Sequence, residues 1–445
     1  MASTATELSA EVVRGQIEKH GIHTVRVAYV DMQGVVRGKF VPAQSFVEMI
    51  DRGAGAYFCA ATLCWDIQCD VIDGLSFSSW ESGFEDLMAK PELSTFRIVP
   101  WRESTAMVLS DLFATDGEPL SFSPRMVLKN VVAEAEKEGF EPIMASELEF
   151  YLLSEDNTPL YDGIHCYELF KGTEVEAVLF DMRDALTDMG IHIEASNVEY
   201  GPAQIEVNLH FGNALEAADE TCMFKQCVKE VARNHGFRAS FMPKIWQEQS
   251  GSGYHVNQSL RKTDGSGAFL TADEGMSDVM RHYLAGLVRY APELYVLGAW
   301  SINAYKRQAP LSFAPTRINW GMDNRTTAVR ALLSGEETRL ENRGASSDAN
   351  PYLVFAGNLA AGLEGVRQGL EPPEAVVANG YEPEAGGELP TSLPDATALF
   401  ASSQLARQYF GDAFVDGFIT ICEHEIAAYK GVVHQWERDR YLDTV

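Results

Sequence analysis

The chain has 445 residues, 46% of them hydrophobic and 22% charged, so it can bury a large core and is predicted to form two or three globular domains. A formal charge of −29 argues against nucleic acid or an anionic membrane surface as the main partner and favours a small substrate or another protein. The seven cysteines fit reduced, mostly buried thiols better than a disulfide framework, and the spacing of Cys59, Cys64 and Cys69 does not match a zinc ligand pair.

The first hundred or so residues are predicted to form a small α/β unit. Residues 7–20 have helical periodicity, and TVRVAYVD and VVRGKFVP alternate as two strands of a hairpin joined by DMQG. STAMVLSDL has the pattern of a further strand, and the polar stretch near residues 114–122 is typical of a linker. We therefore predict one domain over residues 1–115 and a second over residues 116–445.

Long helices separated by short strands are predicted beyond the linker. Ser123 followed by Pro124 is typical of a helix start, and Thr173 with Glu176 predicts a capping box for a helix that runs toward Gly190. Apolar spacing predicts further helices over residues 214–235, 272–298, 350–368 and 414–430. The short alternating segments between them are predicted to be strands of one sheet covered by helices on one face, which makes the fold class α+β.

No targeting or membrane-spanning segment is predicted. The start MASTATELSAEVV lacks a charged region followed by an apolar core, and no later stretch reaches about 18 uninterrupted apolar residues. We expect a soluble, cytoplasmic protein.

Five glutamates and one histidine fall in the four segments ASELEF, SNVEYGPAQIEV, GSGYHVNQS and TRLENRG. They are Glu147, Glu149, Glu199, Glu206, His255 and Glu341. Because an unpaired carboxylate is costly to desolvate in apolar or Gly-rich surroundings, a divalent metal is the simplest explanation for the set. Oxygen ligands with one imidazole suit Mg²⁺ or Mn²⁺ better than zinc, since no thiolate takes part.

The spacing of these residues supports convergence. Glu147 and Glu149 are two apart in a predicted strand and so share a face, as do Arg339, Glu341 and Arg343. A solvated strand face is the alternative for any one such pair.

Two further segments can approach the same point. The Gly201-Pro202 pair between Glu199 and Glu206 can turn the chain, and His255 follows GSG, where missing side chains allow a close approach to a ligand. A lone histidine is commonly a hydrogen-bonded core residue, but the five acids favour the ligand interpretation.

Five arginines lie close together in the sequence. They are Arg307, Arg325, Arg330, Arg339 and Arg343. Guanidinium groups bind carboxylate or phosphate with two hydrogen bonds and neutralise charge during phosphoryl transfer, although surface ion pairs are the alternative. The sequence contains no P-loop lysine motif, GxGxxG after a strand, GxSxG or CxxC, so nucleotide binding would be of another kind and covalent serine or thiol redox chemistry has little support.

In order, these segments resemble the glutamine synthetase family of the bacterial type I architecture over nearly the whole chain. The matching stretches include VDMQGVVRGKFVP, PELSTFRIVPW, FMPKIWQEQSGSGYHVNQSL, NAYKRQAP, NWGMDNRTTAVRA, TRLENRGASSDANPYL, LPTSLPDA and HQWERDRYL. The resemblance implies a small β-grasp-like N-terminal domain and a larger catalytic domain with a curved antiparallel sheet backed by helices. It also implies a homo-oligomer, a dodecamer of two hexameric rings, in which the N-terminal domain closes a neighbour's active site.

The resemblance assigns roles to individual residues. It implies metal ligands at Glu149, Glu199 and Glu206 for a first ion and at Glu147, His255 and Glu341 for a second, with two to three Mg²⁺ or Mn²⁺ per site. It implies glutamate binding by Gly251, Arg307 and Arg343, and contact with ATP by Glu194, Asn257, Ser259, Arg330 and Arg339. It implies catalytic roles for Arg325, Glu341 and Asp66, with Arg325 and Arg330 stabilising the transferring phosphoryl group.

Departures from the family pattern fall where the nitrogen nucleophile would bind. Phe313 stands where the family carries a glutamate that helps to deprotonate ammonium, and Asp66 is only an approximate counterpart of the ammonium-binding aspartate. Ser250 and Asn257 also replace an asparagine and a histidine of the family pattern. Loss of anionic groups weakens binding of a small cation, whereas an aromatic side chain suits a substituted amine.

The branch that best fits these departures is that of the γ-glutamyl-amine ligases, which act on polyamines, ethanolamine, or alkyl- and arylamines. The expected reaction activates the γ-carboxylate of glutamate with ATP as an acyl phosphate, and an organic amine then displaces phosphate. Trp65, Trp80 and Phe313 are candidate walls of the amine pocket, with core packing as the alternative for each. The rival hypotheses are an ammonium-using glutamine synthetase, a non-catalytic structural or regulatory homologue, and an unrelated carboxylate kinase or ligase with similar spacings.

Overall fold

A computed structural model describes residues 8–63, 65–271 and 275–445. Two main β-sheets lie within these ranges, one formed by residues 24–114 and one by residues 140–346. Helices pack against both sheets, in agreement with the predicted α+β class. The predicted linker lies between the last strand of the first sheet and the helix that begins at Pro124, and the division into domains at residue 115 remains a prediction.

The first sheet surrounds the predicted hairpin. Its strands are β1 (Thr24–Val30), β2 (Val36–Pro42), β3 (Ala56–Cys59), β4 (Asp86–Pro91), β5 (Arg97–Ile98) and β6 (Thr105–Ala114), in the order β2-β1-β6-β4-β3 with β5 paired to β6. β1 pairs antiparallel with β2 and parallel with β6. The hairpin turn is stabilised by Asp31, whose carboxylate accepts from the amides of Gln33 and Val35 at 3.0 and 2.8 Å.

The second sheet carries the acidic segments. Its strands are β7 (Phe140–Leu153), β8 (Ile193–Val198), β9 (Gln204–Leu209), β10 (Gly212–Asn213), β11 (Arg238–Ser240), β12 (Gly253–Lys262), with β14 (Trp320–Met322), β15 (Val329–Leu332) and β16 (Arg339–Ser346); β13 (Arg317–Ile318) and β17 (Gly387–Glu388) pair separately. The order is β14-β15-β16-β12-β7-β9-β8, and β10 and β11 pair with β7. All pairs in this sheet except β14 with β15 are antiparallel, in agreement with the antiparallel sheet predicted for the larger domain.

The helices within the described ranges flank these sheets. They are α1 (Ala10–Lys19), α2 (Ala43–Asp51), α3 (Pro124–Lys137), α4 (Leu169–Glu174), α5 (Glu176–Asp188), α6 (Ala214–Asn234), α7 (Asp278–Gly298), α8 (Pro351–Gln368), α9 (Leu393–Ala401), α10 (Gln404–Phe410), α11 (Asp412–Lys430) and α12 (Gln435–Tyr441). α3 and α6 pack on β7, and α7 packs on β16 and on α8. Glycines let α7 and α8 approach closely, because a Cβ on Gly286 or Gly365 would collide with the backbone of the other helix.

The structure corrects two predicted helix starts. Thr173 does not cap a helix, because it lies inside α4 and its hydroxyl donates to the Leu169 carbonyl at 2.9 Å. α7 begins at Asp278 rather than at residue 272, since the Ser277 hydroxyl accepts from the Met280 amide at 3.1 Å. Residue 7, residues 272–274 and Cys64 lie outside the described residues.

Each helix within the described residues is too short or too polar to cross a membrane.

A buried ion network joins the first sheet to the helices of the second. Arg125 on α3 donates to both carboxylate oxygens of Asp219 at 2.8 Å and also to Asp111 on β6. The three side chains are at most 11% exposed, and the Tyr352 hydroxyl donates to Asp219 at 2.5 Å. Removing one member of such a network leaves an uncompensated buried charge.

We expect Arg125→Met to lower the free energy of unfolding by about 3 to 5 kcal/mol, because Asp219 would remain buried without its cation and Asp111 would keep only Lys129 as an ionic partner. The matched control is Arg14→Met, which breaks an exposed pair with Asp51 and should cost about 0 to 1 kcal/mol. Thermal and urea unfolding of the three proteins would measure the difference. Equal destabilisation of both variants would show that the network contributes no more than a surface ion pair.

Candidate active site

Strand pairing brings predicted metal ligands to one face of the second sheet. His255 on β12 lies opposite Glu147 on β7, and Glu149 on β7 lies opposite Glu206 on β9. Opposing residues in antiparallel strands point to the same face, so four side chains that are distant in sequence become neighbours. Glu147 and Glu149 therefore share a face of the sheet, and Glu206 and His255 lie on the same face.

His255 lies at the centre of this cluster. Its Nδ1 atom lies 3.5 Å from Glu147 Oε2, 3.8 Å from Glu341 Oε1 and 3.9 Å from Glu206 Oε2, and its Nε2 atom lies 3.9 Å from Glu149 Oε1. Donor atoms of Glu147, Glu206 and His255 all lie within 4.8 Å of one another, so a single ion could contact all three. The imidazole side chain is only 6% exposed.

Glu199 follows β8 at the margin of the cluster. Its carboxylate accepts from the Asn197 side chain at 2.9 Å and from the Tyr200 amide at 3.2 Å. Burial, followed by the nearby charge of Glu149, raises its pKa. Glu199 therefore belongs to the same electrostatic environment as the strand residues.

Mutual repulsion is strong in the cluster. Burial raises the pKa of Glu206 far above its usual range, and the charges of Glu149, Glu147 and Glu199 raise it further. A divalent cation would relieve both effects, since it replaces lost hydration and neutralises several carboxylates at once.

Glu341 has the opposite balance. Burial acts to raise its pKa, but the charges of Arg343, His255 and Arg330 outweigh this, so the pKa is lowered. The Arg330 guanidinium donates to Glu341 at 2.8 Å, and Arg343 donates to its other oxygen. This end of the cluster carries the positive charge that an anionic substrate needs.

Arg343 has unused hydrogen-bonding capacity beside the acids. Its Nη2 atom lies 3.5 Å from the Phe313 carbonyl, and its Nε atom is buried without a hydrogen-bond partner among the described residues. A buried unsatisfied donor is rare in folded proteins and is satisfied when a ligand acceptor binds. The geometry fits the carboxylate-binding role predicted for Arg343.

Arg307 lies directly behind the glycine-rich start of β12. It is 5% exposed, and its Nη2 atom lies 3.3 Å from the Arg343 carbonyl. A Cβ atom at Gly253 would lie 2.6 Å from Arg307 Nη2, and one at Gly251 would lie 2.7 Å from Arg307 Cγ. Gly253 therefore provides space for the guanidinium and Gly251 for the aliphatic part of the same side chain, so Arg307 lies next to both Gly251 and Arg343.

The two arginines predicted to act on phosphate differ in their environment. Arg330 on β15 is held between Glu341 and the exposed Asp323, to which its Nε atom donates at 2.9 Å. Arg325 is exposed in the turn that precedes β15. One guanidinium is thus fixed against the cluster and the other can reach a ligand above it.

Further predicted ATP contacts continue along the same sheet face. Arg339 donates to the Asn257 side chain at 2.9 Å, and Asn257 donates to Glu147 at 2.7 Å. Ser259 is half-buried and follows Asn257 by two residues on β12, so it shares that face. These side chains form a polar path that leads away from the acids.

Glu194 lies at the far edge of the sheet. Its carboxylate contacts His210 Nδ1 at 2.8 Å, and the His210 ring lies 4.2 Å from the ring of the half-exposed Phe211. Its role in binding ATP remains a prediction.

The predicted residues of the N-terminal part make contacts elsewhere in their own chain. The Asp66 carboxylate accepts from the backbone amides of Gln68 and Asp70. It also lies 3.6 Å from His424 Nε2 on α11. The Trp65 ring lies 5.9 Å from the guanidinium carbon of Arg37, and Trp80 is 69% exposed and packs edge-on against Phe84. These contacts do not join the three residues to the acidic cluster of the same chain, and their roles remain predictions.

Two residues beside the cluster were not predicted from the sequence. The Cys166 thiol donates to Glu199 at 3.8 Å, and Tyr167 has a φ of 58° with its backbone amide bonded to the Val198 carbonyl. Partial burial, with the charges of Glu199 and Glu206, raises the pKa of Tyr167 to about 12. Their segment lacks a distinctive spacing, and only the path of the loop brings it to the acids.

Comparison with known proteins agrees with this geometry. Residues 121–441 match the family model for the glutamine synthetase catalytic domain. A glutamate–isopropylamine ligase of a Pseudomonas species is 38% identical, with 97% of this chain and 98% of that protein covered. A γ-glutamylethanolamide synthetase, GlnA4, of Streptomyces coelicolor is 34% identical, with 100% and 97% covered. Other relatives carry the name glutamine synthetase.

The same relationship is present at the level of structure. A solved GmaS/ADP complex matches with a TM-score of 0.87 and 29% identity, covering 98% of this chain and 100% of that one. The family model spans most of the chain, and the relatives exceed 30% identity over nearly its whole length. This chain therefore belongs to the glutamine synthetase family.

Proposed function

We propose that this chain is an ATP-dependent ligase that joins the γ-carboxylate of glutamate to an organic amine. The observation that carries the proposal is Phe313, an apolar side chain that is half-exposed beside Arg343 at the position where the family pattern has an acidic residue. Relatives named as isopropylamine and ethanolamide enzymes support the same choice of nucleophile, and the structural neighbour solved with ADP supports the use of ATP.

The acidic cluster is the proposed site of two or three Mg²⁺ or Mn²⁺ ions. The residues that would hold them are Glu149, Glu199 and Glu206 for one ion, and Glu147, His255 and Glu341 for a second. When bound, such ions neutralise the phosphate charge of ATP and of the transferring group. Two observations support this assignment: the acids repel one another, and the candidate ligands are carboxylate oxygens with one imidazole nitrogen and no thiolate.

The reaction has two displacements. A γ-carboxylate oxygen of glutamate attacks the γ-phosphorus of ATP and ADP leaves; the amine nitrogen then attacks the acyl carbon, phosphate leaves and the nitrogen loses a proton. Gly251, Arg307 and Arg343 are proposed to hold glutamate, and the exposed Arg325 with Arg330 to stabilise the transferring phosphoryl group. Glu341 and Asp66 complete the proposed catalytic set.

The nucleotide is proposed to lie along the polar path that leaves the acids. Glu194, Asn257, Ser259, Arg330 and Arg339 are the residues proposed to contact it. Trp65 and Phe313 are proposed walls of the amine pocket. Since Asp66 and Trp65 contact α11 and β2 within their own chain, we propose that they serve a neighbouring subunit in a homo-oligomer, a dodecamer of two hexameric rings.

An ammonium-using glutamine synthetase is the second candidate. Relatives that carry the glutamine synthetase name favour it, and their matches also span nearly the whole of this chain. The two candidates differ only in the nucleophile, so a comparison of amines separates them. A cytoplasmic location is part of both proposals.

Phosphate release from ATP, measured with glutamate and Mg²⁺, should be stimulated more by one organic amine than by ammonium. The test set is ethanolamine, putrescine, spermidine, isopropylamine and aniline, with ammonium as the reference. An apolar pocket wall disfavours a small hydrated cation, so we expect a preference of at least about tenfold in kcat/KM, or about 1.4 kcal/mol. Ammonium as the best nucleophile would establish the second candidate.

Phe313→Glu should shift the preference toward ammonium, because the new carboxylate can attract a small cation and accept its proton. We expect kcat/KM for ammonium to rise by roughly tenfold and that for the preferred amine to fall by a similar factor. Leu311→Glu is the matched control, since Leu311 lies in the same loop, is 75% exposed and also has positive φ. A parallel response of the two variants would exclude a specific role for Phe313.

Glu206→Gln should gain stability relative to the wild type as the pH rises, provided that metal is removed with EDTA. The folded-state pKa of Glu206 is raised above its ordinary value of 4.5, so the stability that its neutral form contributes is lost as pH rises from 4.5 toward the folded value. Glutamine has no such loss. Saturating Mn²⁺ should reverse the order, since the variant loses a ligand.

Thermal unfolding between pH 5 and pH 9, with and without Mn²⁺, measures this effect. Substitution of the exposed Glu423 by Gln on α11 provides the control. A difference between Glu206→Gln and wild type that stays constant with pH would contradict repulsion within the cluster.

A further inference from the structure

Lys225 is a buried lysine to which the reaction assigns no role. It lies on α6, is 8% exposed, and its ammonium donates to the carbonyls of Ser347 at 2.8 Å and Ala349 at 3.2 Å. Burial lowers its pKa to about 8. Burying an ammonium group costs free energy unless hydrogen bonds compensate for the lost hydration. The two bonds of Lys225 hold the chain immediately after β16 in place.

Lys225 holds the backbone of Ser347, and the Ser347 side chain reaches two strands of the acidic cluster. Ser347 is fully buried, and its hydroxyl can donate to the backbone carbonyl of Glu149 on β7 or to that of Gly253 on β12, the latter at 2.9 Å. The Gly253 amide in turn donates to the Glu149 carboxylate at 2.7 Å. Ser347 thus lies between the backbones of β7 and β12, beside a proposed metal ligand.

The contact of Ser347 with β12 also bears on the imidazole that this strand carries. His255 follows Gly253 by two residues on β12, and its Nε2 atom lies 3.9 Å from Glu149 Oε1. The pairing of β12 with β7 is regular through His255, whereas its pairing with β16 shifts register between Tyr254 and Val256, so ladder bonds hold the strand less completely on the β16 side. The Ser347 hydroxyl adds a side-chain bond close to this irregular part of the sheet.

We propose that Ser347, held in place by Lys225, is a positioning residue that fixes the Glu149 carboxylate and His255 in the arrangement that binds a divalent cation. The inference rests on the proposed metal-dependent function. Partners in the second layer of a metal site commonly change its affinity by 10- to 100-fold when they are removed, because they hold the ligands in orientation.

The chain offers a matched control in the preceding residue. Ser346 is 1% exposed, and its hydroxyl contacts the Gly298 carbonyl at 3.0 Å and the Asp348 carboxylate at 2.7 Å. Loss of either serine hydroxyl removes one buried hydrogen-bonding group of the same kind. Of the two hydroxyls, only that of Ser347 bonds to the strands that carry Glu149 and His255; Ser346 pairs with Gly253 through its backbone.

The experiment measures Mn²⁺ binding to the full-length protein by electron paramagnetic resonance, which requires no turnover. We expect Ser347→Ala to weaken the tightest Mn²⁺ site by about tenfold or more and Ser346→Ala to change it by less than about twofold. Lys225→Met tests the same link from α6 and should weaken Mn²⁺ binding in the same direction. Hydrogen exchange of the Gly253 amide in metal-free protein should be faster in Ser347→Ala than in Ser346→Ala.

Several outcomes would overturn the proposal. Unchanged Mn²⁺ affinity in folded Ser347→Ala, or equal weakening by both serine substitutions, would show that Ser347 has only a structural role. If Ser347→Ala does not fold, unchanged Mn²⁺ affinity in Lys225→Met would count against the proposal in the same way. A wild-type protein that binds no Mn²⁺ would instead contradict the proposed metal-dependent function, and the inference would fall with it.

Discussion

The repulsion among five carboxylates gathered on one sheet face is the constraint on which the rest of the site depends. Such a cluster is unfavourable in a metal-free protein, as the raised pKa of Glu206 indicates. It persists because the strands that carry it are fixed by the surrounding fold, and because Arg330 and Arg343 neutralise Glu341. The fold therefore holds together groups that would separate in a flexible chain, which is the condition for binding a multiply charged cation.

The layers behind the sheet explain how this arrangement is maintained. β12 lies between β7 and β16 and is held by both, while α6 and α7 cover the opposite face. The glycines at the start of β12 make room for Arg307, so a second positive group lies directly behind the ligands. Arg307, Arg330 and Arg343 thus place positive charge beside the acidic cluster.

The proposed amine end of the site is built differently from the proposed phosphate end. Leu311 and Phe313 both have positive φ in a short exposed loop, a conformation that is unfavourable for residues with a Cβ and that the surrounding contacts must maintain. One such contact joins Arg343 to the Phe313 carbonyl, so the proposed amine wall is tied to the proposed glutamate-binding arginine. A change of nucleophile can therefore arise in this loop while the acidic cluster remains the same.

The sequence by itself determined the family and most of the local elements, and it predicted the candidate site residues that these elements carry. Alternation in ASELEF and TRLENRG predicted shared strand faces, and the order of the segments predicted the family, because side-chain periodicity and motif order are local properties of the chain. Local reasoning was wrong at Thr173, whose hydroxyl bonds to a carbonyl inside α4 instead of capping the next helix. Only the tertiary structure decided that His255 meets Glu147, that Cys166 and Tyr167 lie beside Glu199, and that Ser347 reaches Glu149. These contacts depend on strand register and loop path, which are set by packing between residues far apart in the chain and leave no periodic signal in the sequence.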